Sequence, residues 1–163
     1  MTLIAIDGPA GAGKTTLAAK LHGEFSKEKT LHVIHMDDLY SGWDNALGPQ
    51  LTAILGDIVN AFSAQVEFTV PIYNWVNKSF DSSRTYEPTE VLIIEGVGAA
   101  QKVVRDSGAV IYWLDVDPEV GLARVLKRDG YEIEIQMRQW QIDQARHFMS
   151  DETRTFADYL LTS

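Results

Sequence analysis

Gly8-Pro9-Ala10-Gly11-Ala12-Gly13-Lys14-Thr15 carries the spacing GxxxxGK[ST], and each residue type in it has a task on a phosphate. Glycines let the backbone wrap tightly with its N–H groups turned inward. A helix that starts at the lysine adds partial positive charge at the same place. Lys14 can reach the β and γ phosphates, and the Thr15 hydroxyl can ligate Mg²⁺. The expected nucleotide contacts are Gly8, Ala10, Gly11, Ala12, Gly13, Lys14, Thr15 and Thr16, with ATP and Mg²⁺ as the ligands. A guanine-reading Asn-Lys-x-Asp is absent, since Asn77-Lys78-Ser79-Phe80 lacks the aspartate.

Acids stand at two further places where such chemistry needs them. Asp37 and Asp38 follow the strand expected over 31–35, and Glu95 ends the apolar run Val91 to Ile94. Phosphoryl transfer is mostly positioning and charge neutralisation, so a base need only orient a hydroxyl and finally take its proton. Asp37 is the expected base. Glu95, with Thr15, is expected to hold the Mg²⁺ shell, directly or through water. Arg124 and Arg128, four residues apart, share a helical face and suit a lid over the phosphates; solvated surface positions explain them too. Asp38, Tyr40, Tyr73, Trp75 and Arg84 are the expected acceptor contacts. That aromatic density suits a flat acceptor, and equally suits packing beneath a long loop.

The elements that must position these groups alternate. Residues 2–7 read as a buried strand, 14–25 as a helix with Leu17, Leu21 and Phe25 on one face, and 31–35 as a second strand. Helical spacing recurs over 51–62, Val91 to Ile94 reads as a central strand, and Ala109 to Val116 as another. Asp117-Pro118 looks like a cap followed by proline at the first helical position. Helices are expected over 118–128 and 132–149, and a last strand near Tyr159 to Leu161. Residues 63–90 are the least regular stretch. Alternating strands and helices argue for one domain, 1–163, built on a parallel sheet covered on both faces. Ligands of such sheets sit beyond the carboxyl ends of the strands. Residues 41–90 would form the acceptor region and 118–150 the lid and following helix.

Composition narrows the function classes. The chain has 163 residues, 14 basic and 23 acidic side chains, a net charge of −9 and no cysteine. Without a basic stripe, nucleic acid is not an expected partner. No apolar run nears the ~20 residues of a membrane span, and no leader pattern opens the chain. The absence of cysteine excludes disulfides and thiolate metal sites and suits a cytoplasmic setting. A small-molecule acceptor is the expected partner, and no pattern sets an oligomeric state.

Taken together, Gly8 to Thr16, Met36-Asp37-Asp38-Leu39-Tyr40, Pro71-Ile72-Tyr73-Asn74-Trp75, Ile94-Glu95-Gly96, Arg124 to Asp129 and Ala157-Asp158-Tyr159 resemble the uridine kinase branch of P-loop kinases. That branch also holds phosphoribulokinase and bacterial pantothenate kinase. The resemblance implies a three-layer P-loop fold whose five-stranded parallel sheet has the order 2-3-1-4-5. It implies a catalytic role for Asp37, a magnesium role for Glu95, and lid roles for Arg124 and Arg128. Tyr73-Asn74-Trp75 is similar to a Tyr-Asp-Phe segment that lines the nucleoside site.

The departures cluster on the acceptor side. Asn74 replaces an acid, Lys78 stands near the place of a nucleoside-contacting histidine, and Ser41-Gly42-Trp43-Asp44 replaces an Asn-Phe-Asp-His-Pro stretch. The wording Ile4 to Gly11 also looks like cytidylate kinase, but Arg84 is the one arginine in the middle region. A neutral acceptor therefore ranks ahead of a nucleoside monophosphate. The expected activity is ATP-dependent transfer of a phosphoryl group to a small-molecule hydroxyl, with a nucleoside among the candidates. The alternative is a P-loop ATPase or nucleotide-dependent regulatory module with no small-molecule acceptor.

Overall fold

The computed structural model describes all residues from Met1 to Ser163. The apolar run Thr2–Asp7 forms β1 at the centre of the sheet, and its last five residues are buried. A glycine-rich turn leads into α1 (Lys14–Phe25), after which β2 (Leu31–His35) returns to the sheet. A short 3-10 turn, Met36–Asp38, follows β2. The next helix, α2 (Pro49–Ala64), starts with proline at its first position, where a missing N–H costs nothing. It buries Leu51, Leu55, Ile58, Val59 and Phe62, the face its spacing foretold.

Residues 63–90, expected to be irregular, instead hold an antiparallel hairpin of β3 (Phe68–Asn74) and β4 (Ser79–Tyr86). Its signal was weak for physical reasons. Most of β4 is exposed and polar, and the turn lacks an Asn-Gly pair, with Lys78 taking a φ of 55°. Asn74 shapes that turn, its Oδ1 accepting from the Val76 and Asn77 N–H groups at 2.9 Å each.

β5 (Val91–Glu95) is buried throughout, as a central parallel strand should be. The one-turn helix α3 (Lys102–Arg105), unannounced by periodicity, precedes β6 (Val110–Asp115). α4 (Pro118–Asp129) is capped by Asp117, whose Oδ1 accepts from Glu119 N–H at 3.0 Å and Val120 N–H at 3.3 Å. α5 (Glu134–Asp151) and β7 (Tyr159–Thr162) complete the chain.

The five parallel strands lie in the order β2-β5-β1-β6-β7. Counted among themselves, without the hairpin, that is 2-3-1-4-5, so the added β3 and β4 only shift the labels. One apolar cluster of 26 residues joins the sheet to α2, α4 and α5, and a second of 8 joins it to α1. The sheet is thus covered on both faces. No helix is long and apolar enough to cross a membrane.

Candidate functional site

The carboxyl ends of β1, β2 and β5 open into one cavity of about 570 Å³. Its floor is the turn after β1. The backbone N–H groups of Gly11, Gly13 and the first turn of α1, Lys14 to Thr16, have no partner inside the protein. Such orphan donors at a helix start suit an anion. Other N–H groups of the motif are engaged. Gly8 N–H donates to Asp7 Oδ1 at 2.7 Å, Ala10 N–H to Gln144 Oε1 at 3.1 Å, and Ala12 N–H to the Pro9 carbonyl at 3.2 Å. Gly8, Ala10 and Ala12, expected as nucleotide contacts, therefore shape the turn, and of the three only Ala10 lines the cavity.

Sequence reasoning passed over the two side chains that hold this turn. Asp7 is fully buried, and its carboxylate also accepts from Gly98 N–H at 3.0 Å and Ala100 N–H at 2.8 Å. It pins the phosphate loop to the segment after β5. Burial holds its carboxyl above the usual range, against the pull of these N–H donors and Lys14. Gln144 is 6% exposed and reaches the loop from α5. The acid at the end of β1 was visible in the sequence; a glutamine 134 residues from its partner carries no local signal.

The loop also meets α4 backbone to backbone. Gly11 has a φ of +82°, and a Cβ on it would collide with Gly121 of α4. A Cβ on Gly121 would come within 2.6 Å of the Ala10 carbonyl oxygen. Neither position admits a side chain.

Lys14 is buried, and its ammonium donates to the Pro9 carbonyl at 2.7 Å. Burial lowers its pKa, while Asp7, Glu95 and Asp37 pull it back up. Thr15 Oγ1 donates to Glu95 Oε1 at 3.1 Å, which joins the two residues expected at the metal. Nowhere do three His, Cys, Asp or Glu side chains gather as a ready-made ion site. A hydroxyl plus one carboxylate fits Mg²⁺ that arrives on phosphates and keeps several waters. His35, which pairs with Glu95 in the sheet register, also bonds that carboxylate, Nδ1 to Oε1 at 2.6 Å. This bond raises the His35 pKa. The histidine was not singled out from sequence, although its register opposite Glu95 follows once β2 and β5 pair.

Asp37 lines the cavity at the end of β2. The residue stays open to water, yet the surrounding walls and then the Glu95 charge hold its carboxyl above the usual range. Tyr40 and Trp75 line the same space, while Asp38, Tyr73 and Arg84 do not. Tyr40 is buried, and its hydroxyl donates to the Val97 carbonyl at 2.6 Å. Burial pushes the phenol well above its ordinary pKa. Trp75 Nε1 donates to the Asp37 carbonyl at 2.9 Å, tying the hairpin tip to the expected base. Tyr73 supports Trp75 edge-on at 5.2 Å. Arg84, expected at the acceptor, lies outside the cavity and over the ring of Tyr86 at 5.1 Å, two residues along the same face of β4.

Trp43 and Trp140 complete the aromatic wall together with Ile133 and Met137. Trp43 sits in the loop before α2. Trp140 and Met137 are buried and also face the cavity. The two expected lid arginines part ways. Arg128 lines the cavity and forks onto Asp129 through two bonds of 2.8 Å. Arg124 lies outside it, donating to the Gly11 carbonyl at 3.1 Å and to the Ser163 hydroxyl.

With this geometry in place, comparison with known proteins is informative. A family model described as an AAA domain matches residues 4–148. The chain is 27% identical over 141 residues to a uridine kinase of Clostridium tetani, covering 78% of this chain and 67% of that protein. It is 23% identical over 144 residues to a uridine kinase of Lactobacillus johnsonii, covering 80% and 68%. A solved structure titled a possible uridine kinase from Bacillus stearothermophilus has the same fold, with a TM-score of 0.71 at 21% identity over 98% of this chain and 88% of that one.

Proposed function

The chain belongs to this AAA-domain family, and we propose that within it the protein is an ATP-dependent phosphotransferase that moves the γ-phosphoryl group of Mg-ATP to a hydroxyl of a small molecule. One observation carries the reading: the phosphate loop, the Asp37 carboxylate and an aromatic wall all line a single cavity. An ATPase or nucleotide switch needs the loop but has no use for that wall beside a base. The similarity to proteins named uridine kinase supports a hydroxyl acceptor.

In this reading the orphan N–H groups of Gly11, Gly13 and Lys14 to Thr16 seat the phosphates, with the Lys14 ammonium on the β and γ oxygens. Thr15 and Glu95 would hold magnesium, which supplies charge neutralisation on the phosphates. Asp37 orients the acceptor hydroxyl. The acceptor oxygen forms a bond to the γ phosphorus as the bond from that phosphorus to the β–γ bridging oxygen breaks. ADP leaves, and the hydroxyl proton ends on Asp37. Arg128, released from Asp129, is placed to balance charge on the transferring group, with the walls keeping water away. Arg124 serves at the edge of the loop. A cytoplasmic setting belongs to the same proposal.

The test is ADP release from Mg-ATP by the purified protein with a broad panel of hydroxyl compounds, alongside Asp37→Asn. Acceptor-dependent release that falls by roughly 10²–10⁴ in the variant is expected. Slow release indifferent to every acceptor, or an Asp37→Asn rate within about threefold of the parent, would overturn the reading.

A further inference from the structure

The acceptor half of the cavity has no cation to spare. The charged residues around the cavity are Lys14, Asp37, Glu95, Arg128 and Asp129. Lys14 belongs to the phosphate loop, and Arg128 is forked onto Asp129 or, once released, turned to the transferring phosphoryl group. Arg84 sits on Tyr86, outside the cavity. An acceptor bearing phosphate or carboxylate would face the Asp37 carboxylate with no counter-charge of its own.

Three groups that could read the edge of a flat base are already engaged. The Tyr40 hydroxyl is spent on the Val97 carbonyl and the Trp75 N–H on the Asp37 carbonyl. The Asn74 amide is folded into the hairpin turn and onto Asp81.

Nor do the rings make a slot. Trp43 stands at 67° to Trp75, with centroids 5.4 Å apart, and at 85° to Trp140, at 6.0 Å. Tyr40 meets Trp140 at 68°. Sandwiching a flat ring between two others calls for near-parallel faces, which none of these pairs offers, whereas rings set at steep angles can border a compact group on more than one side. Indole faces carry negative charge, and tryptophan is the best ring partner for a cation within about 6 Å of its centroid.

We propose that the acceptor is a cationic alcohol, an amino alcohol or quaternary ammonium alcohol, with its ammonium group in the corner formed by Trp43, Trp75 and Trp140 and its hydroxyl toward Asp37. The hydroxyl rests on the phosphotransferase reading; the ammonium corner stands without it. The ammonium group takes no part in bond making. The alcohol oxygen gains the phosphoryl group, ADP leaves, and the hydroxyl proton passes to Asp37.

Three of the four tryptophans line the cavity, so tryptophan emission reports its filling. The whole protein is titrated with matched compounds: choline against 3,3-dimethyl-1-butanol, in which carbon replaces the nitrogen, and glucosamine against glucose and glucuronate. The cationic member of each set is expected to bind roughly thirtyfold tighter, the scale of a desolvated cation–π contact. Trp43→Leu should bring the members of a set close to parity. Parity in the parent protein, tighter binding of a neutral or anionic member, or no response to any cationic compound overturns the proposal. ADP release measured on the same panel separates the two claims. Preferred cation binding with no release under any acceptor keeps the ammonium corner and removes the phosphotransferase reading. Release driven by neutral or anionic acceptors keeps the transfer and overturns the cationic acceptor.

Discussion

The phosphate half of the cavity is drawn from one contiguous run, Ala10 to Thr16, chiefly backbone N–H groups with the Lys14 ammonium, whereas the acceptor half is side chains from three segments far apart in the chain. Trp43 comes from the loop before α2, Trp75 from the hairpin tip, and Trp140 with Met137 from α5. The first half recognises what every nucleotide shares, a row of anionic oxygens, and backbone N–H groups suffice for that. In the proposed transfer the second would have to recognise one acceptor, with selectivity lying in side-chain identity and in the packing that angles each ring. Substitutions should therefore act differently in the two halves.

After Asp37→Asn, the largest effect is expected from Lys14→Ala, which removes a donor aimed at the transferring group and should lower turnover by on the order of 10²–10³. Turnover near that of the parent protein would break the comparison at its stronger end. The acid side of the pH profile comes next. Partial desolvation by the surrounding walls, and then the Glu95 charge, raise the Asp37 pKa, so turnover should fall as pH drops through a value above the ordinary carboxylate range of about 3.9. The sign for stability is opposite. A raised carboxyl pKa means that the folded state holds the proton more tightly, so this group favours folding at low pH and loses that contribution as pH rises through its folded pKa. A rate profile with no acid limb above the ordinary value would remove Asp37 from the base role.

Gln144→Ala should destabilise the fold by about 1–3 kcal/mol by stranding the Ala10 N–H, read as a lowered midpoint in urea. It should also weaken Mg-ATP binding, although the residue lies in α5 beside the acceptor wall. Trp75→Ala is expected to raise the acceptor KM by roughly three- to tenfold, the worth of an aromatic contact, and to leave the ATP KM nearly unmoved. Arg84→Ala is the smallest: less than about twofold in either KM, as for a surface change away from any site. A large acceptor effect there would restore the reading in which that arginine touches the substrate.

How much could be read beforehand follows the same division. The phosphate loop, α1, the acid at the end of β5 and the buried strands are legible because their information is local: a fixed spacing, a 3.6-residue period, a continuous apolar run. Asp37 is legible by its place after β2. Trp140 is not, because spacing in α5 marks it as inward-facing without saying that inward includes a cavity. Arg84 was misplaced for the complementary reason. Its side depends on the register of a hairpin whose exposed, polar β4 carries no alternation to read. Gln144 and His35 act on partners that only the tertiary fold brings near.

The mutual approach of Gly11 and Gly121 bears on how the site can open and close. Because backbone rests on backbone there, the first turn of α4 is seated on the phosphate loop and must travel with it. Arg128 and Asp129 stand at the far end of the same helix, with Gly130 just beyond at a φ of +110°. The contact would act as a fulcrum in such a closure, with α4 as the lever arm that carries the arginine. Rotation of the helix about that point would swing Arg128 across the cavity with little displacement of the loop, so a side chain added at Gly121 should stiffen or dislodge the pivot rather than alter any group that touches the ligand.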